Sequence, residues 1–576
     1  MQCIVVIIES LAPLFKRNVM NQFDYYVAIA FALVILFLGL MFSRSGKSMT
    51  SFFAAGGAVP WWISGLSLFM SFFSVGTFVV WGSIAYSDGL VAVVIQSTMA
   101  VAGIIIGCII APAWNKTRAL TVADFLTHRA GKSVQKIYSS AFLFINLFTA
   151  GAFLYPVGKI IEVSTGIPLN VAILVLGLFV IAYTTVGGLW AVLVTDVLQF
   201  VVLTAAVLII IPLAFGEVGG VNTFLSKLPD GFMALQNENY SWIFLIAFVI
   251  YNTVFIGGNW AYVQRYTSVA KPKDAKKVGL LFGGLYLVAP IIWMLPPMIY
   301  RVINPDLSGT EAEEAYLLMS KLVVPEGLLG LILAAMVFAT ASSVNTAINI
   351  AAGVFTNDLF KSIKPNYPAE RLMKVARIST FVFGFLAIAV ALAVQSMGGI
   401  VEVVLSIAAL TGASLYLPPI WAIFSKRQTG KSLLLTTIFS LLINAFFKFV
   451  TPSLFDLSLS REWEMMLGVI TPVIWLLGFE IYYYQSSNSN PDYDNYIAYQ
   501  LSRETQETPN SEVQASDNAY SKKILSIGIL AIGILLMGLG AVTDSANAET
   551  LGVGLIIALP ALWFLLKTNK VILGAK

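Results

Sequence analysis

Cysteine, histidine and charge are all scarce in this sequence. Its 576 residues include two cysteines, Cys3 and Cys108, and one histidine, His128. Two cysteines cannot build a disulfide framework or a multi-cysteine metal site. One histidine rules out His-based triads and His-rich metal centres. It lies in a basic loop and reads as structural or solvated. Charged residues make up 11% of the chain, against about 25% in an ordinary soluble domain. A deficit that large means that most of the chain faces something other than water. The basic residues sit in short loops between apolar runs and form no continuous patch, which speaks against nucleic acid as a partner. The sequence has no nucleotide loop, triad or metal cluster, so it does not read as an enzyme.

Long apolar runs are what it has instead. Hydrophobic types reach 58% and the mean hydropathy is +0.85. A hydrocarbon core of about 30 Å needs about 20 apolar residues per helix. Fifteen runs qualify, near 24–43, 59–85, 89–112, 133–161, 167–186, 189–215, 241–267, 277–302, 326–357, 373–396, 399–424, 430–451, 463–484, 522–543 and 548–567. Lysine and arginine are retained on the cytoplasmic side. With the first span starting outside, 26 of the 34 basic residues fall in loops on the inside. This predicts a multi-pass inner-membrane protein with its N-terminus outside and its C-terminus in the cytoplasm. Lys16 and Arg17 are exceptions and precede Met20, which reads as an alternative start. The segment 485–521 is rich in Ser, Asn, Glu, Gln and Pro, too poor in apolar surface to order itself. It reads as a disordered cytoplasmic loop.

Gly, Ser or Asn inside a membrane helix leaves backbone groups to be satisfied by a cavity or an ion. Two runs carry them centrally. One is Trp61–Tyr86, with Ser64, Gly65, Ser67, Ser71, Ser74, Gly76 and Thr77. The other is 241–267, with Asn252, Thr253, Gly257, Gly258 and Asn259. Each opens a group of five spans, 59–215 and 241–424. Two five-helix repeats of opposite topology, each opening with a broken helix, are a transporter plan with the solute between the breaks. The chain thus divides into an extension and first helix (1–58), a first repeat (59–215), and a second repeat with its preceding loop (216–424). Peripheral helices (425–484), the loop 485–521 and two last helices with a tail (522–576) follow. On the span 326–357, Ala339, Ser342, Ser343 and Thr346 share one helix face. A helical serine can simply bond its own i−4 carbonyl. Four such groups on one face also suit a hard cation that wants oxygen ligands. Asp196, about two turns into its span, is costly there unless paired or wet, and so is a functional candidate. Lys159 and Glu402 read as snorkelling at the outer surface.

At these residues the chain resembles the sodium/solute symporter family, which includes sodium/glucose, sodium/proline and sialic-acid symporters. The matching text is Tyr183-Thr-Thr-Val-Gly187-Gly188-Leu-Trp-Ala191 followed by Thr195-Asp196-Val-Leu-Gln199. Phe52–Trp62, Leu120–Arg129, Val263-Gln264-Arg265-Tyr266 and Phe355-Thr-Asn-Asp358-Leu-Phe add to it. The resemblance covers about residues 24–480. It implies an all-α, LeuT-type 5+5 inverted repeat with flanking helices, working by alternating access with co-transported sodium; a functional monomer is a separate expectation. It puts the main sodium ion on the carbonyls of Met70, Phe73 and Ala339 and the hydroxyls of Ser342 and Ser343. Some members bind a second sodium where Asp196, Asn345 and Thr346 stand here; Asn345 replaces a serine, which leaves a second ion open. The sugar-contacting Gln, Glu, Lys and Gln of the sodium/galactose symporter are replaced by Thr77, Gln96, Tyr286 and Ala408. Asn252 is retained, and Phe255 replaces the tyrosine below the sugar and becomes the candidate inner gate. Thr77, Gln96, Asn252, Asn259, Trp260 and Tyr286 form the expected solute set. It carries no fixed charge, which argues against dicarboxylates; a sugar or sugar derivative is the first expectation, and an amino acid or organic anion stays open, as does a proton-coupled carrier of the same fold.

Overall fold

The computed structural model describes residues 20–42, 59–119, 121–184, 189–364, 367–486, 490–504, 511–542 and 547–574. Every regular element within them is a helix; no strand occurs among the described residues. A helix satisfies its amides within its own run, the one solution open to a single apolar segment in lipid. Ten helices are long and apolar enough to cross a membrane, or up to twelve if each bent pair counts as one span. Three shorter apolar helices accompany them: Gln22–Ile35, Trp61–Met70 and Leu169–Ile181. The expected run 59–85 is not one helix: it stops at Met70 and resumes as the π-helix Thr77–Trp81.

The helix Leu328–Val354, here the serine helix, lies deepest, with 82% of its apolar window buried, whereas Asn547–Leu566 at the periphery has 22%. Close approach elsewhere depends on glycine. A Cβ at Gly103 would sit 2.6 Å from the Gly283 Cα, and one at Gly279 would sit 2.5 Å from the Gly107 Cα. Small residues on both faces let two membrane helices touch backbone to backbone.

The segment 485–521 departs from its sequence reading. Pro491–Glu504 is a helix, and it docks. Tyr496 is 4% exposed and meets Phe125 edge-on. The Tyr499 hydroxyl donates to Asp124 at 2.9 Å, and its ring stacks on His128 at 3.8 Å. Asp492 accepts from the Gly430 N–H at 2.9 Å. Composition hid this because the apolar part of the contact face is one short periodic stripe, Tyr493, Tyr496 and Ile497, and polar side chains make the rest. Residues 487–489 and 505–510 lie outside the described residues. Lys159 and Glu402 do more than snorkel: Lys159 pairs with Glu314 at 2.9 Å and Glu162 at 3.3 Å, and Glu402 with Lys448 at 3.4 Å.

Candidate ion and solute site

The first break spans Ser71–Gly76, where side chains do the bonding a helix would have done. Thr77 Oγ1 donates to the Phe72 carbonyl at 2.7 Å and accepts from the Ser74 N–H at 3.2 Å. Ser74 Oγ accepts from the Gly76 N–H at 3.2 Å. The Val75 N–H goes to Thr340 Oγ1 of the serine helix at 3.0 Å, so break and serine helix touch. Each freed amide thus has a partner, as burial demands.

The second break bends Trp242–Gly258 against Trp260–Thr267 by 63°. Asn259 forms the joint, and its side chain accepts from the Ala261 N–H at 3.0 Å. Gly257 and Gly258 serve close packing: a Cβ on Gly258 would lie 2.8 Å from the Tyr416 carbonyl oxygen. The Gly257 carbonyl accepts from the Trp114 indole N–H at 2.7 Å. A third helix, Ile400–Phe424, bends by 43° between Thr411 and Ala413; it was not singled out from the sequence.

Two neighbouring cavities lie where these elements converge. The smaller is polar. Ser71, Asp196, Arg265, Ser343 and Thr346 line it, together with Asn259. Asp196 is buried, and its Oδ2 accepts from Ser67 Oγ at 2.6 Å. Arg265 is 2% exposed; its guanidinium donates to the Ala261 carbonyl at 2.9 Å and feels the charge of Asp196. Ser343 Oγ lies 3.3 Å from the Ala339 carbonyl, the i−4 bond. Met70 and Phe73 are buried beside the break, and the Phe73 ring stacks on Trp293 at 3.5 Å. Asn345 is buried on the serine helix. The side chain of Ser342 lies outside the described residues, as do 52–58 and 185–188 of the motifs behind the resemblance. Arg265 stands near the end of the run 241–267, and its place inside the bend shows only once Asn259 turns the chain.

The larger cavity, about 140 Å³, is mostly apolar, with eight aromatic rings among its 24 lining residues. Thr77, Gln96, Asn252, Phe255 and Tyr286 line it as expected. Asn259 and Trp260 do not: Asn259 bonds Tyr416 at 3.2 Å and Trp260 stacks on Phe142 at 4.4 Å. Trp81, Phe248, Tyr251 and Tyr262 add rings that sequence reasoning missed, since nothing local marks which face of an all-apolar helix looks inward. No charged side chain lines this cavity. Gln96 is 2% exposed, and its Nε2 is buried without a partner. Asn252 Nδ2 is already spent on Thr98 Oγ1 at 3.0 Å. Tyr262, Phe153 and Thr149 line both cavities and so form the partition between them.

A family model described as "Sodium:solute symporter family" matches residues 52–439. The chain belongs to that family. Sodium is the coupling ion of such symporters, and they are transporters rather than enzymes. This symporter is 29% identical over 479 residues to a sodium/glucose cotransporter of Vibrio parahaemolyticus, covering 75% of this chain and 86% of the relative. It is 25% identical over 434 residues to the sodium/sialic acid symporter NanT of Aliivibrio fischeri (strain ATCC 700601 / ES114), covering 73% and 86%. Its fold matches the substrate-bound, outward-open structure of a Na+-coupled sialic acid symporter with a TM-score of 0.67 at 23% identity. That match covers 79% of this chain and 96% of the other.

Proposed function

We propose that this symporter uses an inward sodium gradient to import a small, uncharged, polyhydroxylated solute, a sugar or sugar derivative, by alternating access. The observation that carries the reading is the larger cavity: apolar walls with eight aromatic rings, no charged lining and a buried unpartnered amide. Aromatic faces suit the C–H face of a sugar ring, and an unpaired donor in a dry site selects a ligand that satisfies it. A carboxylate entering there would lose its hydration with no cation in the lining to replace it. The relatives named for glucose and for sialic acid straddle this choice; the uncharged lining favours the neutral solute.

In this reading sodium binds between Met70, Phe73, Ala339, Ser342 and Ser343, fastening the first break to the serine helix. The contact of Val75 with Thr340 supports such a junction. Binding there preorganises Thr77, one turn on, for the solute; this is positive coupling between two sites. Phe255 and the partition at Tyr262 then open inward after the two five-helix repeats rock. Fifteen crossings put the N-terminus outside and the C-terminus in the cytoplasm, with the protein acting as a monomer in the inner membrane.

The experiment is uptake into proteoliposomes of labelled glucose, galactose, N-acetylated sugars, sialic acid and amino acids, with sodium outside or potassium in its place. Sodium-dependent entry of a neutral sugar is expected. Entry of sialic acid or an amino acid alone would sink the neutral-solute reading, and equal uptake in potassium would sink sodium coupling. Ser343→Ala is expected to raise the half-saturating sodium concentration at least about tenfold, the loss of about 1.4 kcal/mol of ion binding, with expression unchanged.

A further inference from the structure

Between Pro272–Ile303 and the serine helix the chain passes through a short 3-10 helix, Gly309–Glu314. Its Glu313 is 6% exposed. Its Oε1 lies against Gly399, 3.2 Å from where a Cβ there would stand, the carboxyl group is within electrostatic reach of Tyr155 and Lys159 on Lys132–Thr165, and Oε2 is left buried without a partner of its own. Ile400 opens the helix Ile400–Phe424 and lines the solute cavity. Tyr155 immediately precedes Pro156, which also lines it. One buried carboxyl group therefore sits where three elements meet at one end of the solute cavity.

We propose that Glu313 is a proton-operated latch at the outer mouth of the solute cavity, neutral when the mouth is closed and ionised when it opens. The claim rests on the uptake reading only for which face of the membrane the latch guards. The physics is desolvation. An ionised carboxylate loses its hydration when the 3-10 helix, Lys132–Thr165 and Ile400–Phe424 close on it. Burial, the largest cause, pushes Glu313 up from 4.5 to about 7, with the repulsion of Glu314 in the same direction. The Ile400 N–H, the Tyr155 hydroxyl and Lys159 oppose this incompletely. Lys159 itself is held by Glu314 and Glu162. Glu402, on the first turn of Ile400–Phe424, is engaged by Lys448.

When the three elements part, water reaches Glu313 and its affinity for a proton drops towards the ordinary carboxyl value. Closing therefore takes up a proton and opening releases one. The sign follows: the raised value belongs to the closed mouth, so the preference for closure is fully present below 4.5 and is lost as pH rises through about 7. Linkage then allows the open population to rise up to about tenfold between about pH 6 and about pH 8.

The test needs no knowledge of the solute. Ala312, 3% exposed beside the latch, is changed to Cys in a chain whose Cys3 and Cys108 are Ser. A membrane-impermeant maleimide is added to sealed proteoliposomes across that pH range, and each rate is divided by that of the same protein carrying Glu313→Gln. The division removes the thiol's own titration and leaves the latch. The ratio is expected to climb up to about tenfold from the acid to the alkaline end. Lys159→Gln should move the midpoint to higher pH and Glu314→Gln to lower pH, opposite effects that a merely structural role would not produce. A flat ratio, or midpoints that move together, overturns the latch. The same profile obtained only with reagent on the inner side upholds the latch and overturns the orientation.

Discussion

Gln96 is the side chain in the larger cavity whose polar group is left unmet among the described residues. Its amide nitrogen is buried and unpartnered, and leaving such a donor unmet costs about 1–3 kcal/mol. A solute that offers it an acceptor recovers that amount. Gln96→Leu removes the donor at similar size, so the half-saturating solute concentration is expected to rise about 5- to 150-fold. Gln96→Glu, an acceptor when ionised, should be at least as damaging. Unchanged uptake kinetics in the leucine variant would show that Gln96 does not meet the solute. Asp24 is a residue of another kind, structural and missed in the sequence. It is 3% exposed, and its carboxylate accepts from the N–H groups of Gly327 at 2.8 Å and Gly330 at 3.0 Å. It thus caps the start of the serine helix from another part of the chain. Asp24→Ala strands those donors and should cost about 2–4 kcal/mol, read as earlier thermal unfolding in detergent. An unaltered transition would mean that water replaces the cap. No pattern in the sequence marks Asp24, because its partners lie 303 and 306 residues away.

At the scale of elements, the broken helices were legible and the docked one was not. Ser74, Gly76 and Thr77 advertise a break because their side chains compete locally for backbone bonds, and the structure spends them that way. Asn259 is legible for the same reason. The helix Pro491–Glu504 also carries a start signal: an asparagine, then proline in the first turn, then Asp492 and Asp494. Low hydrophobicity over the wider window outweighed it. What holds the helix is its docking, through Tyr496 above all. Gln500 bonds the Lys116 carbonyl at 3.0 Å and Asn490 those of Lys426 and Gln428, both at 2.9 Å. Tyr496→Ala removes the buried ring, a loss of about 3–5 kcal/mol for a large aromatic. A helix of 14 residues is marginal alone, so it should come off. Limited proteolysis is then expected to cut between residues 485 and 510 in the variant while sparing the membrane helices. Equal resistance in both proteins would show that the polar contacts suffice.

At the scale of the whole molecule the question is how many ions move with each solute. The sequence alone left a second sodium open, because Asp196 and Thr346 fit one while Asn345 did not match the serine expected. The fold adds what no local pattern could: it turns Arg265 into the same cavity as Asp196, Ser343 and Thr346. A guanidinium beside a buried carboxylate supplies the positive charge that a second ion would otherwise bring, and two unit cations held near one carboxylate repel each other at low dielectric. One sodium per solute is therefore expected. For a neutral solute, accumulation at equilibrium should then rise with the first power of the sodium ratio, about tenfold for a tenfold gradient at fixed potential. Each 100 mV of potential should add about 2.3 kcal/mol, or roughly 50-fold. Arg265→Gln frees Asp196 for a cation, and in that variant a dependence on the second power is expected. Second-power accumulation in the unaltered protein would mean that Asp196 binds sodium despite its guanidinium neighbour.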